Sequence, residues 1–249
     1  MAGLSKPVSI FAKIARTYVS HAPSLLLLAA VVFVPVGLID AIALNAEASS
    51  LSLSHGLLLA AAACGVLALT LTGLIGEVFY SGTVAAFLTH AAHGSAPSLR
   101  EIARRLNYRS LIVVDLLYGA IVVVGLIFLL VPGVAAFVWL GLAGPVVEIE
   151  GGNVRQAFRR SWELVRGSFW TVLLVLGPIE LLGGALTDLL TAQVHHHLGH
   201  SLLGVWAAES LSNVLLTPVY AVAAVLLTLD LIAEKDGVTP RLHSAAARA

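Results

Sequence analysis

The chain has 249 residues, of which 59 % are hydrophobic and only 11 % charged, and its 14 basic and 14 acidic side chains cancel to a formal net charge of zero. Soluble domains are roughly half apolar and about one quarter charged, so this composition cannot clothe a water-facing surface, and it is too apolar for disorder. Nor does a neutral chain offer nucleic acid a basic face; what remains is an all-α protein embedded in a lipid bilayer.

About 20 apolar residues at 1.5 Å each cross a hydrocarbon core. Six such runs appear in order, at 24–44, 57–90, 110–131, 134–149, 168–191 and 203–233. The first follows basic residues, as a signal peptide would. It is long enough to span, however, and is read as a retained helix rather than one cleaved near Ala46 to Ala48. The second exceeds one crossing and is expected to bend at Gly73, Gly76 and Gly82 or to continue beyond the bilayer. Its Cys64 is the only cysteine, so no intramolecular disulfide or cysteine metal site forms. Pro132-Gly133 is read as a tight turn between the third and fourth helices, because proline ends a helix and glycine permits reversal. The six spans thus form three hairpins in one polytopic domain, 1–249.

The cations fix the threading. Lys6, Lys13 and Arg16 precede the first span; Arg100, Arg104, Arg105 and Arg109 lie between the second and third; Arg155, Arg159, Arg160 and Arg166 lie between the fourth and fifth; Lys235, Arg241 and Arg248 follow the sixth. These are all 14, and the three alternate connections have none. Lysine and arginine collect on the cytoplasmic side, so both termini are expected in the cytoplasm, with the chain in the cell membrane.

Each inner segment, at 9–18, 98–108 and 153–165, reads as a short amphipathic helix lying in the headgroups before a hairpin. Arg100-Glu-Ile-Ala-Arg-Arg105 and Arg155-Gln-Ala-Phe-Arg-Arg160 match at an offset of 55, and Asn153 suits an N-cap. Arg100, Arg104, Arg105, Arg155, Arg159, Arg160 and Arg166 are placed to meet anionic lipid phosphates. Trp162 and Trp170 suit the water–lipid boundary, and Gly167 allows a sharp turn into the fifth span.

The stretch 132–176 contains Ala157, Arg160, Ser161, Trp162, Leu164, Val165, Arg166 and Gly167 in an Ala-x-x-Arg-Ser-Trp-x-Leu-Val-Arg-Gly pattern. It resembles the glycerophosphoryl diester phosphodiesterase membrane-domain family and related multi-pass proteins of unknown function, in which this segment joins the fourth and fifth helices. The resemblance implies the membrane portion only. The family name comes from longer proteins with a separate soluble catalytic domain, so phosphodiesterase activity is not expected to carry over.

Ionisable groups inside a membrane are functional suspects. Asp115 and Glu77 fall near the inner boundary, within range of Arg100, Arg104 or Arg109; Asp188 and Glu209 fall near the outer one. Glu180 sits roughly 18 Å along the fifth helix, near the midplane. Ser210, Ser212, Asn213 and Thr217 on the sixth helix reach its depth, and Pro178 and Pro218 interrupt both helices. Paired broken helices of this kind mark transporter sites; the alternative is a neutral Glu180 hydrogen-bonded to Asn213 or Ser212 to lock the hairpin. His195, His196, His197 and His200 precede the sixth span as a solvated loop or as zinc or copper ligands. No His-Glu-x-x-His, Ser-His-Asp, P-loop or dinucleotide fingerprint is present. The leading expectation is a non-enzymatic protein, free of cofactors, that organises lipid or a membrane-protein partner. A small transporter or channel using Glu180, and a metal-binding protein using the outer histidines, are the alternatives. Gly73-x-x-Gly76 and Gly183-Gly184 suit helix packing within the chain or in a homo-oligomer.

Overall fold

A computed structural model of the chain describes residues 5–49, 76–91, 99–198 and 201–237. Among these residues there are nine helices and no strand: α1 (Ser5–Ser49), α2 (Glu77–Ala91), α3 (Leu99–Arg105), α4 (Tyr108–Phe128), α5 (Leu130–Leu140), α6 (Ala143–Glu150), α7 (Val154–Val165), α8 (Phe169–Leu198) and α9 (Leu202–Asp236). Five stretches among the described residues are long and apolar enough to cross a bilayer, at Ser9–Leu38, Tyr108–Phe128, Leu130–Glu150, Phe169–Val194 and Leu202–Asp236. The expected run 57–90 lies outside the described residues as far as 75. Outward-facing Val31, Ile112, Leu116, Val124, Ile127 and Leu181 are all exposed. Such an apolar belt is stable against lipid tails and a liability in water. The chain is a multi-pass membrane protein.

Helix α9 is the hub, packing along α1 and against α8 and α2. Ala221 through Leu227 are all buried. A helix apolar on every face belongs in an interior, and the alanines and valines here allow close neighbours. Two polar ties set its register on α1: Lys13 pairs with Asp230 at 2.7 Å, and Trp206 Nε1 donates to the Val34 carbonyl at 3.0 Å.

Two local expectations are corrected. The segment 9–18 is not a separate surface helix, because α1 runs unbroken through Pro23 and Pro35. Each proline forfeits one backbone hydrogen bond, which membrane helices tolerate where neighbours re-satisfy the freed groups; nearby, the Tyr80 hydroxyl donates to the Leu25 carbonyl at 2.7 Å. The second correction is the turn after the third span. The chain reverses at Leu129, whose backbone is extended (φ −163°, ψ 136°), and Pro132 already lies in the first turn of α5, where its missing N–H costs nothing. Gly133 serves contact rather than reversal: a Cβ there would sit 2.5 Å from the Leu126 side chain.

The other two inner helices form as expected. Helix α3 leads to Asn107, which caps α4 by accepting from the Ser110 N–H at 3.3 Å, while its own N–H donates to Glu148 at 2.9 Å. Helix α7 begins in a reciprocal capping box between Asn153 and Gln156, both bonds 3.1 Å long. Gly167 then turns the chain into α8 at φ +91°. Asn153→Ala is expected to cost about 1 kcal/mol of α7 stability, seen as faster amide exchange in the peptide covering 154–165; unchanged exchange would remove the cap from the account.

Candidate functional site

The polar interior is built around the start of α2. Gly76 adopts φ +100°, a conformation favoured by glycine, and delivers the chain into a helix whose first N–H groups have no partner within it. Asp115, from α4, supplies the partner. Its carboxylate accepts from the N–H groups of Gly76 at 2.5 Å, Val78 at 3.0 Å and Phe79 at 3.3 Å. It thus caps a neighbouring helix, where negative charge meets the positive end of the helix dipole. The sequence suggested an arginine partner for Asp115; the local geometry instead spends its oxygens on backbone.

This cap aims Glu77, the first residue of α2, into the bundle. Its Oε2 is buried and has no hydrogen-bond partner among the described residues. Its electrostatic neighbours are Glu180 of α8 and Asp115. Tyr118, three residues beyond Asp115, and Tyr220 of α9 are both buried and lie within electrostatic reach of Glu77 and Glu180. The two phenol oxygens approach each other, yet neither satisfies full hydrogen-bond geometry. A Cβ on Gly141, where α5 gives way to α6, would stand 3.2 Å from the Tyr220 hydroxyl. Two carboxyls and two phenols therefore converge from α2, α4, α8 and α9.

Their depth follows from the inner corner. Lys235 Nζ donates to the carbonyls of Glu163 and Arg166, the second at 2.6 Å, which brings the ends of α7 and α9 together. Glu180 lies eleven residues beyond Phe169 and Tyr220 fifteen residues before Lys235. At 1.5 Å per residue both stand about 17–22 Å from that corner, deep in a core about 30 Å thick. Pro178 and Pro218 each precede the polar residue by two positions, leaving the Leu174 and Val214 carbonyls without their usual helical donors.

The expected polar stripe on the sixth helix is distributed differently. Ser210 and Ser212 are buried with unpartnered hydroxyls. Ser210 faces α1, its Oγ 2.7 Å from where a Cβ on Gly37 would stand. Thr217 is buried and Asn213 half-buried. Among the described residues no hydrogen bond joins Glu180 to Ser212, Asn213 or Thr217. Tyr118 and Tyr220 were not singled out from sequence, although the repeated Pro-x-polar pattern at 178–180 and 218–220 was available as a signal.

The basic surface is partly committed to protein contacts. Arg160 Nε donates to both Glu150 oxygens at 2.9 Å, and its Nη2 donates to Asp236. Burial works against its charge, but the hydrogen bonds to Glu150 and Asp236 prevail and hold its pKa above the ordinary arginine value. Arg159 pairs with Glu163 at 2.8 Å. Ser161 donates to the Trp139 carbonyl at 2.7 Å, and the Trp162 ring packs on Trp139 with centroids 4.1 Å apart. Helix α7 is thereby clamped to the bundle, with Arg155, Arg159, Trp162 and Arg166 exposed and Trp170 exposed at the start of α8. Arg100, Arg104 and Arg105 are exposed on α3, and Arg105 meets His90 at 3.1 Å.

His195, His196 and His197 fall in the last turn of α8, where the exposed His196 and His197 rings touch edge to face at 5.1 Å. His200 lies outside the described residues. Among the described residues no three His, Cys, Asp or Glu side chains gather as metal ligands. Comparison with protein-family models, curated proteins and solved structures finds no match for this chain.

Proposed function

We propose that this protein sits in the cell membrane with both termini cytoplasmic and carries a proton or small monovalent cation through its interior acidic–phenolic centre. Of the roles raised by the sequence, this is the small transporter. The observation that carries it is the half-buried Glu77 side chain, whose Oε2 is buried and unpartnered and whose electrostatic neighbours are the carboxyls of Glu180 and Asp115 rather than a basic side chain. Two carboxyls in a low-dielectric interior need a shared proton or a bound cation between them. The phenols of Tyr118 and Tyr220 add neutral oxygens able to donate or accept. Interrupted helices around such a centre support the same reading: α2 starts inside the bundle, α5 breaks into α6 at Gly141, and α8 and α9 each contain a proline. The cytoplasmic orientation rests on the distribution of all 14 cations.

The test is flux through the full chain in liposomes. With imposed proton, sodium or potassium gradients, a trapped pH dye or ion uptake is expected to report transport above that of empty vesicles. Glu180→Gln and Glu77→Gln are each expected to slow it about tenfold or more, since a lost charged oxygen partner is worth roughly 1.5–3 kcal/mol. Wild-type vesicles no leakier than empty ones to any of the three ions would refute the proposal. So would transport unchanged by both substitutions.

A further inference from the structure

A second feature faces the lipid rather than the interior. Helices α1, α2, α3 and α4 enclose a groove of about 660 Å³, within the roughly 300–1,000 Å³ usual for ligand sites. Its walls are Leu28, Val32 and Val36 of α1, Phe79 of α2, and Ile112 and Leu116 of α4. Val31, Ile112 and Leu116 on its walls are exposed, so it opens sideways. Asp115 closes its end farther from Arg100, deeper in the membrane, but those carboxylate oxygens are already held by backbone N–H groups. At the other end stand Tyr108 and Arg100. Arg100 is exposed and makes no ion pair among the described residues.

The dimensions and the charge select one occupant. From Tyr108 to Leu116 on α4, and from Leu28 to Val36 on α1, the groove runs eight residues, about 12 Å. Half of a hydrocarbon core is about 15 Å. An apolar slot one leaflet deep with a single guanidinium at its cytoplasmic edge has the layout of an acyl chain below a phosphate. Arginine's planar fork matches a phosphate diester oxygen pair, and the cytoplasmic leaflet carries anionic lipid. We propose that the groove binds one anionic phospholipid of the inner leaflet, its acyl chain lying along α4 and α1 and its phosphate on Arg100.

The experiment uses the purified full chain in detergent micelles titrated with phosphatidylglycerol or phosphatidylcholine of identical acyl chains, with bound lipid counted by native mass spectrometry. The wild type is expected to retain one phosphatidylglycerol in preference to phosphatidylcholine. Arg100→Gln should weaken phosphatidylglycerol retention about fivefold, the effect of one basic residue near an anionic surface, and phosphatidylcholine less, because its choline cation already offsets the phosphate charge. Ala103→Phe and Ile112→Trp, at exposed positions on the groove wall, should fill the groove and reduce both lipids, with circular dichroism confirming that each variant is folded. Equal retention by the wild type and both filling variants overturns the proposal, as does a phosphatidylglycerol preference that survives Arg100→Gln. A wild-type dimer broken by Ala103→Phe, with no lipid preference, would assign the groove to a second copy of the chain and also overturn it. None of these readouts depends on ion flux, so they stand apart from the interior centre.

Discussion

Asp115→Ala is expected to destabilise the folded protein by about 3–5 kcal/mol, the usual cost of removing one partner from a buried charged contact. Three N–H groups, from Gly76, Val78 and Phe79, lose their acceptor at once. In water such groups would find a solvent partner; inside a membrane bundle they have none. Part of the loss is offset because the denatured state in detergent also satisfies some polar groups, which is why the figure is below three full charge-assisted bonds at roughly 1.5–3 kcal/mol each. Asp115→Asn should cost less, since one amide oxygen can still accept while the NH2 faces a donor. Thermal unfolding in detergent, followed by circular dichroism, should rank wild type above Asn and Asn above Ala. Amide exchange in the peptide 76–91 should accelerate in the same order. Because the cap aims Glu77, ion flux should fall in that order as well. An Asp115→Ala protein that melts and exchanges like the wild type would show that α2 does not depend on this carboxylate.

The contrast between α7 and α2 shows what was legible in the sequence. The capping box of α7 lies within four residues, Asn153 to Gln156, and the turn at Gly167 depends on that one glycine's own backbone; local chemistry of that range can be read from the string. Both ends of α4 and α9 and the start of α8 also fell within three residues of the expected boundaries, because apolar runs long enough to span leave little choice, but α8 runs on to Leu198 and takes the expected histidine connection into the helix. Asp115 is different: its donors lie 36 to 39 residues earlier in the chain. An acidic residue six positions from Arg109 looks like an ion pair until the fold brings a helix N-terminus to it. The same holds for Glu180, whose depth could be counted along α8 but whose neighbours Glu77, Tyr118 and Tyr220 come from three other helices. Pro132 misled for a related reason: a proline marks a helix start as readily as an end.

Gly144→Ala is expected to be the most damaging glycine-to-alanine change among the described residues. Helix α6 crosses α2 here so closely that a Cβ at 144 would stand 2.7 Å from the Ser81 hydroxyl and 2.8 Å from Val78 Cγ1, and deep inside contact with the Val78 carbonyl. A flexible side chain can move aside; a helical carbonyl cannot move without shifting α2. Gly82 opposes it from the other helix, where a Cβ would come 3.2 Å from the Gly144 carbonyl. Small residues on both sides let two membrane helices approach backbone to backbone, and van der Waals packing is the main force holding them. Overpacking costs typically about 1–3 kcal/mol, and contact with rigid backbone places Gly144→Ala at the upper end. Gly184→Ala supplies the internal comparison. Position 184 is also helical, yet a Cβ there meets nothing within 4 Å, so the added methyl should be neutral or stabilise by about 0.5–1 kcal/mol through helix propensity. Melting temperatures in the same detergent should therefore move in opposite directions for the same chemical change. Because α2 carries Glu77 on its first turn, Gly144→Ala should also lower ion flux, while Gly184→Ala preserves it. Equal melting of the two variants would mean that α2 and α6 do not cross at this distance.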